Sequence, residues 1–438
     1  MGQPDASGAR RGRQNVVVRA ALRTALRFLT RRVWVRALIF TVAGVVLALA
    51  AGLLGPLIHV DAGFDLGQDS AGSILQIIAT AMLTVTTFSL TTMVTAYSSA
   101  TSIATPRATQ LLVQDPTSQN SLATFLGAFA FSLVGIIALS TGYYSASGRT
   151  ILFGGTLVVI AIIVGTLVRW IGHLSDFGRM SDVIDRVETA TLAGLQRWAK
   201  EPALGARIAA APARGATAVF AESTGYVTVV DLETLSDIAE DAGLDIHIAA
   251  LPGAIAGPSS PVAFVARGTD RAPRRDADGD GLDDDLATRI RHAFTIERHR
   301  SYDQDPRLGV IALAEIASRA LSPSTNDPGT AIEVIAALHR VFAQALAVEP
   351  DTEVRFPRVS MPAPGVDELL VDAFRPIARD GAGMVEVQMR LQKTLRMLGE
   401  SAPEHRAELR DAQRTARRYS DRALDAVERR LVAEAARG

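Results

Sequence analysis

The chain's densest groupings of hydrogen-bonding side chains are two short polar runs. The first, RHRSYDQDPR at 298–307, offers Arg300, Asp303, Gln304 and Asp305, and the second, SPSTNDPGT at 322–330, offers Ser322, Asn326, Asp327 and Thr330. Arginine and carboxylate form strong charge-assisted bonds, so an Arg300–Asp327 pair would join the runs. A helix from Leu308 to Leu321 would hold them roughly 20 Å apart at 1.5 Å per residue. The pair therefore needs the turn at Pro323 or a second copy of the chain. Helix capping explains many of the same residues, because Asn326 or Asp327 ahead of a proline is a helix start. The expectation is that the two runs meet in space. In its sharper form they make a ligand-binding or gating contact with Pro106 and Arg107, in the connection between the second and third apolar segments.

Other chemistry is thinner. DADGDGLDDD places Asp276, Asp278, Asp280 and Gly281 as in the first half of a calcium loop, but its twelfth position is Ala287 rather than a bidentate glutamate. A solvated acidic connection at 276–285 that caps the next helix accounts for it without a metal. His292 and His299 near Glu297 are too loosely spaced to argue a metal pair. No cysteine is present, which excludes disulfides, thiolate nucleophiles and Cys-ligated metals. No P-loop, G-x-S-x-G, H-E-x-x-H or dinucleotide fingerprint occurs. The expectation is no catalytic residue, no cofactor and no metal. A formal net charge of -1 gives no reason to expect nucleic acid.

These residues are positioned by a chain that changes character near residue 172. Four stretches before it are apolar enough to cross a bilayer core of about 30 Å: Ala37–Ile58, Ser73–Tyr97, Leu122–Leu139 and Ile151–Trp170. They lack Asp, Glu, Lys and Arg until Arg169, which argues against ion-coupled transport. The second carries Thr80, Thr84, Thr87, Thr91 and Thr95 on one helical face. Such hydroxyls usually bond back to carbonyls one turn earlier, although copies of the helix in an oligomer would line a polar conduit. Nine arginines between Arg10 and Arg36 precede the first span, whereas HVDAGFDLGQDSAG after it has Asp61, Asp65 and Asp69 and no basic residue. Retention of basic segments inside then puts both termini in the cytoplasm. TRRVWVR at 30–36 also loosely resembles an export signal, but three further spans favour a first transmembrane helix.

After the spans, composition suggests a connecting helix (173–212), a β-rich module (213–272), an acidic loop with a helical region carrying both polar runs (273–347), a mixed segment with strands EVRFPRV and GMVEVQMR (348–385), and charged terminal helices (386–438). The run PGAIAGPSSPVAFVA reads as the closing hairpin of a small β-barrel-like module, with no lysine near it for a covalent cofactor. The expected fold class is thus a membrane protein: a basic arm (1–36), a four-helix transmembrane half (37–172) and a mixed α+β cytoplasmic half with a small β-barrel-like module and helices.

SRALSPSTNDPGTAI at 318–332, preceded by Asp303-Gln304-Asp305-Pro306, resembles the bacterial family called domain of unknown function 2254. YSSATSIATPR, ending in Pro106-Arg107, is similar to a family segment in which Ser-Pro-Arg follows the helix, with Thr105 in place of the serine. Arg300-Ser301 and Ser324-Thr325 depart from the family's pattern. The resemblance covers the chain from the first span to near residue 400 and implies a multi-pass protein of the bacterial cytoplasmic membrane without an assigned activity. The bilayer and further copies of the chain are the expected partners, and any small-molecule or ion ligand is left open. An oligomeric pore or membrane-coupled sensor is the expected function, with a non-conducting scaffold and a membrane-bound enzyme of unfamiliar type as alternatives.

Overall fold

The computed structural model describes residues 33–54, 68–103, 105–113, 115–268 and 283–437. Most of the basic arm, Asp61, Asp65 and the calcium-like Asp276, Asp278, Asp280 and Gly281 lie outside the described residues. The chain forms two compact units. One comprises residues up to Ala100 together with Gln110–Arg179, and the other comprises Thr101–Thr109 and everything from Met180 onward.

The first unit is built from α1 (Val33–Leu54), α2 (Gln68–Ile103) as far as Ala100, α4 (Pro116–Ser140) and α5 (Ala146–Asp176); the short α3 (Pro106–Val113) lies between α2 and α4 in the chain and begins in the second unit. Four segments in them are long and apolar enough to span a membrane: Val35–Leu54, Ala71–Thr101, Pro116–Ser140 and Ala146–Ser175. Leu38, Phe88, Val94, Val168 and Ile171 stay exposed in the unit, the kind of outward apolar surface that lipid would cover. Glycine sets the α1–α4 crossing: a Cβ on Gly127 would lie 2.7 Å from the Phe40 carbonyl oxygen. Helix starts are written locally. Asp115 accepts the Ser118 N–H at 2.7 Å ahead of Pro116, and Ser145 accepts the Gly148 N–H at 3.2 Å.

The second unit opens with α6 (Met180–Lys200), whose buried stripe of Val183, Ile184, Val187, Thr191, Leu195 and Ala199 has helical spacing. Strands β1 (Ala206–Ile208), β2 (Thr217–Phe220) and β3 (Gly225–Val230) follow, then α7 (Leu232–Ala242), β4 (Leu244–Ile248), β5 (Ile255–Ala256) and β6 (Pro261–Arg267). Next come α8 (Asp284–His292), β7 (Phe294–Glu297), α9 (Pro306–Ala320), α10 (Pro328–Leu346), β8 (Phe356–Met361), α11 (Val366–Asp380), α12 (Val385–Ser401), α13 (Arg406–Ala423) and α14 (Ala426–Arg437).

The β-barrel-like module is not what forms. The strands make two open sheets, one of five strands in the order β1-β8-β4-β6-β2 and one of three in the order β5-β3-β7. β8, from far along the chain, enters between β1 and β4 and pairs in parallel with both. The 213–272 segment therefore does not close on itself. Leu235 and Ile238 of α7 share one core with Ile246, Ile248, Val265 and Val359. GMVEVQMR is also not a strand. Its Val387 begins a buried helical row with Leu391, Leu395 and Leu398 in α12, so tertiary packing overrides the β-branched residues. β7 was not expected; it lies just before the first polar run and pairs with β3.

Candidate functional site

The first polar run begins where β7 ends. Its turn is tied locally by Ser301, whose hydroxyl donates to Asp303 Oδ2 at 2.6 Å and accepts the Asp303 N–H at 3.2 Å. Asp305 caps α9 by accepting the Arg307 N–H at 3.0 Å, with Pro306 at the first helical position. Its other oxygen accepts from Arg300 Nε at 2.7 Å, and the two side chains are only 1% and 18% exposed. Gly253, at φ +91°, closes over this pair; a Cβ there would sit 2.6 Å from Asp305 Cγ. The positive φ and the crowding both require glycine.

Each neighbour of Asp305 holds a different element. Gln304 accepts from the Val230 N–H at 2.8 Å and donates to the Val230 carbonyl at 3.2 Å, so its amide pairs with β3 as another strand would. Arg197 of α6 donates to the Asp303 carbonyl. Arg307 reaches Asp372 and Glu368 of α11, each at 2.7 Å.

Tyr302 points the run at the connection that follows α2. Its hydroxyl donates to the Arg107 carbonyl at 3.1 Å, and the Arg107 guanidinium pairs with Glu315 of α9. Burial, helped by the Glu315 charge, pushes the Tyr302 phenol pKa up, which keeps the O–H a donor. Glu315 Oε2 is buried with no partner. The first run and Arg107 are thus brought together. Tyr302 and Glu315 carry the contact and were not among the candidates. A single aromatic inside a polar run was the available signal, since a buried tyrosine hydroxyl usually finds a partner.

The second run does not join them. Asp327 accepts the Thr330 N–H at 3.1 Å and the Thr330 hydroxyl at 2.6 Å, capping α10, and those two bonds lower its pKa. Ser322 donates to the Arg319 carbonyl at 2.7 Å, and Asn326 takes the left-handed conformation at φ +49°, which asparagine tolerates. Arg300 uses Asp305 instead of Asp327, and α9 keeps the runs at its two ends. Within one chain the Arg300–Asp327 pair is therefore replaced by two local caps.

In the first unit, Thr80, Thr84, Thr87, Thr91 and Thr95 lie on a face of α2 that the unit leaves exposed. Each hydroxyl donates to the carbonyl four residues back, at 2.9–3.0 Å. A buried polar group that the sequence reading missed joins α4 and α5. His173 Nε2 lies 2.9 Å from Asp115 Oδ2 and 3.2 Å from Ser118 Oγ. Both oxygens address the same ring nitrogen, whereas a nucleophilic triad needs the carboxylate on the other one, so the trio lacks that geometry. Asp283 caps α8, the end of the acidic connection that falls among the described residues. Among the described residues no three His, Asp or Glu side chains gather as a metal site would require.

The family described as "Predicted membrane protein (DUF2254)" matches residues 30–397. An uncharacterised protein of Mycobacterium bovis is 27% identical over 326 residues, covering 71% of this chain and 60% of its own length. An uncharacterised protein of Mycobacterium tuberculosis (strain CDC 1551) is 28% identical over the same length with the same coverage. The chain thus spans about 60% of the curated relatives it matches. No solved structure matches.

Proposed function

The chain belongs to the DUF2254 family of predicted membrane proteins, and from that premise we propose that it is a non-enzymatic, oligomeric, membrane-coupled sensor. In this reading the protein sits in the bacterial cytoplasmic membrane with both termini and the C-terminal half in the cytoplasm. The second unit holds the connection between the second and third spans, and a change in that unit is passed to the spans through the covalent chain. The observation that carries the reading is the grip on Arg107 by Tyr302 and Glu315. The threonine face of α2, left uncovered within one unit, supports the further step that copies of the helix assemble with that face inward as a pore. Back-bonded hydroxyls still expose an oxygen lone pair that a polar conduit can use.

Purified protein in liposomes tests it under voltage and osmotic challenge. Solute flux in the wild type, with an altered threshold in Tyr302→Phe and altered conductance in Thr87→Val, is the expected result. A silent wild-type protein under every challenge overturns the pore. It would favour a scaffold that binds a partner through its last helices, where Val427 and Leu431 are exposed apolar residues.

A further inference from the structure

α5 carries an arginine toward each end and no charge between them. Arg149 lies in its first turn and Arg169 two turns from its last residue, and residues 150–168 include no Asp, Glu, Lys or Arg. The twenty residues from Arg149 to Arg169 rise about 30 Å at 1.5 Å each. That is the thickness of a bilayer's hydrocarbon core, about 30 Å. When α5 crosses a bilayer, each guanidinium therefore falls at the depth of a headgroup layer.

Arg169 is exposed, and its side chain makes no hydrogen bond or ion pair with any described residue. Neighbours hold it in that position. Trp170 donates to Ser89 Oγ at 2.8 Å and His173 Nε2 meets Asp115 Oδ2 at 2.9 Å, so α5 is pinned to α2 and α4 and cannot roll the arginine inward. Arg36, at the same end of the unit, has a protein acceptor instead, donating to Asn120 Oδ1 at 3.1 Å. Arg169 thus keeps five N–H donors for an acceptor outside the protein. A guanidinium beside hydrocarbon is costly unless it reaches one. Ile162 and Val158, seven and eleven residues before Arg169 on the same helical stripe, are 52% and 58% exposed. They form an apolar track from the arginine toward the middle of the helix.

We propose that Arg169 is a binding site for the phosphate of an anionic phospholipid, an acyl chain of which lies along Ile162 and Val158. Arginine suits a phosphodiester because two parallel N–H groups meet two phosphate oxygens. A headgroup without an amine is favoured, since the ammonium of a zwitterionic lipid stays beside its own phosphate and competes with the guanidinium. Only the leaflet, the cytoplasmic one, rests on the orientation proposed above. The site itself needs neither that orientation nor the sensor reading.

The full chain is placed in phosphatidylcholine nanodiscs with a trace of phosphatidylglycerol bearing a photoactivatable diazirine on its acyl chain. Labelling of residues 158–169 is mapped by mass spectrometry and compared with a matched phosphatidylcholine probe. The anionic probe should label this segment about fivefold more, the roughly 1 kcal/mol that one basic residue contributes at an anionic surface. Arg169→Gln should bring the ratio close to one. Arg169→Lys, which keeps the charge, should retain most of the preference and so separates loss of the site from misfolding. Unlabelled phosphatidylglycerol should displace the probe and inorganic phosphate should not. Equal labelling by the two probes in the wild type, or an unchanged ratio in Arg169→Gln, overturns the site. Displacement by inorganic phosphate overturns the lipid as its occupant. A preference without solute flux would sink the pore and leave the site standing, and flux without a preference would sink the site alone.

Discussion

Asp305 is where a single substitution should be most informative. Its carboxylate caps α9 and pairs with Arg300 in a setting only 1% exposed at the aspartate. Losing an aspartate cap to alanine costs roughly 0.5–2 kcal/mol. Breaking one partner of a buried ion pair costs about 3–5 kcal/mol, because the remaining charge is left uncompensated. Arg300 keeps 18% exposure and Gly253 Cα packs against the pair, so water reaches the guanidinium only in part. Asp305→Ala should therefore lose about 3–5 kcal/mol in total. Asp305→Asn retains a capping oxygen and should lose about 1.5–3 kcal/mol, the worth of a hydrogen bond to a charged group. The discriminating variant is Asp305→Asn with Arg300→Met, which removes both charges and should recover most of the loss. Unfolding is followed by circular dichroism in detergent against guanidinium. A double variant no more stable than Asp305→Asn would refute the argument that the unpaired arginine dominates the cost.

Other expectations follow from the same structure. Arg300→Asp and Asp327→Arg should add within about 0.5 kcal/mol, as residues without shared partners do; mutual rescue in a stability or oligomer assay would reveal a contact between copies. Burial holds His247 below its ordinary pKa of 6.5, and His339 likewise, with Arg340 adding to the effect. A depressed folded pKa means the unfolded chain takes the proton first, so stability is present above pH 6.5 and falls as pH drops below it. Thermal melts of His247→Gln between pH 7 and pH 5 should show a shallower decline than the wild type, and an identical slope would contradict this. Gly127→Val should cost about 1–3 kcal/mol or more, because the clash is with the Phe40 carbonyl and backbone gives little; an unchanged melting temperature would mean that α1 and α4 do not cross there. Reporter fusions at Asp65 and Ser147 should be external and those at Asp115 and Gly438 cytoplasmic, and an external signal at Gly438 would invert the topology.

What the sequence disclosed depended on whether the determining partner was near in the chain. The four spans were legible because a run without charges is a local property, although the third begins at Pro116, six residues ahead of the expected Leu122. Asp327 was legible as a cap, since it precedes a proline and bonds within three residues. The barrel was misread because β8 enters the five-stranded sheet between β1 and β4, and nothing in residues 213–272 announces a partner at 356–361. The choice of Asp305 over Asp327 for Arg300 was decided by the length of α9, which holds Asp327 at its far end. The partner of Tyr302 was invisible for a related reason. A hydroxyl that finds its acceptor 195 residues away leaves no periodicity to read.

The grip on Arg107 has a strength that suits a switch better than a permanent brace. One neutral hydrogen bond from Tyr302 is worth about 0.5–1.5 kcal/mol net. The Arg107–Glu315 pair, with side chains 43% and 30% exposed, adds at most about 1 kcal/mol after solvent screening. Together they give about 1–2 kcal/mol, inside the roughly 1–3 kcal/mol typical of coupling between sites. The surrounding run is held much harder, by the Gln304 amide on β3, the Arg307 pairs on α11 and the Asp305–Arg300 pair. On the sensor reading proposed above, strain passed along the chain from α2 would release Arg107 before it disturbs β3 or α11. The weak joint lies where the chain leaving α2 meets the polar run, so it can serve as the two-state element if the spans and the second unit bias one equilibrium.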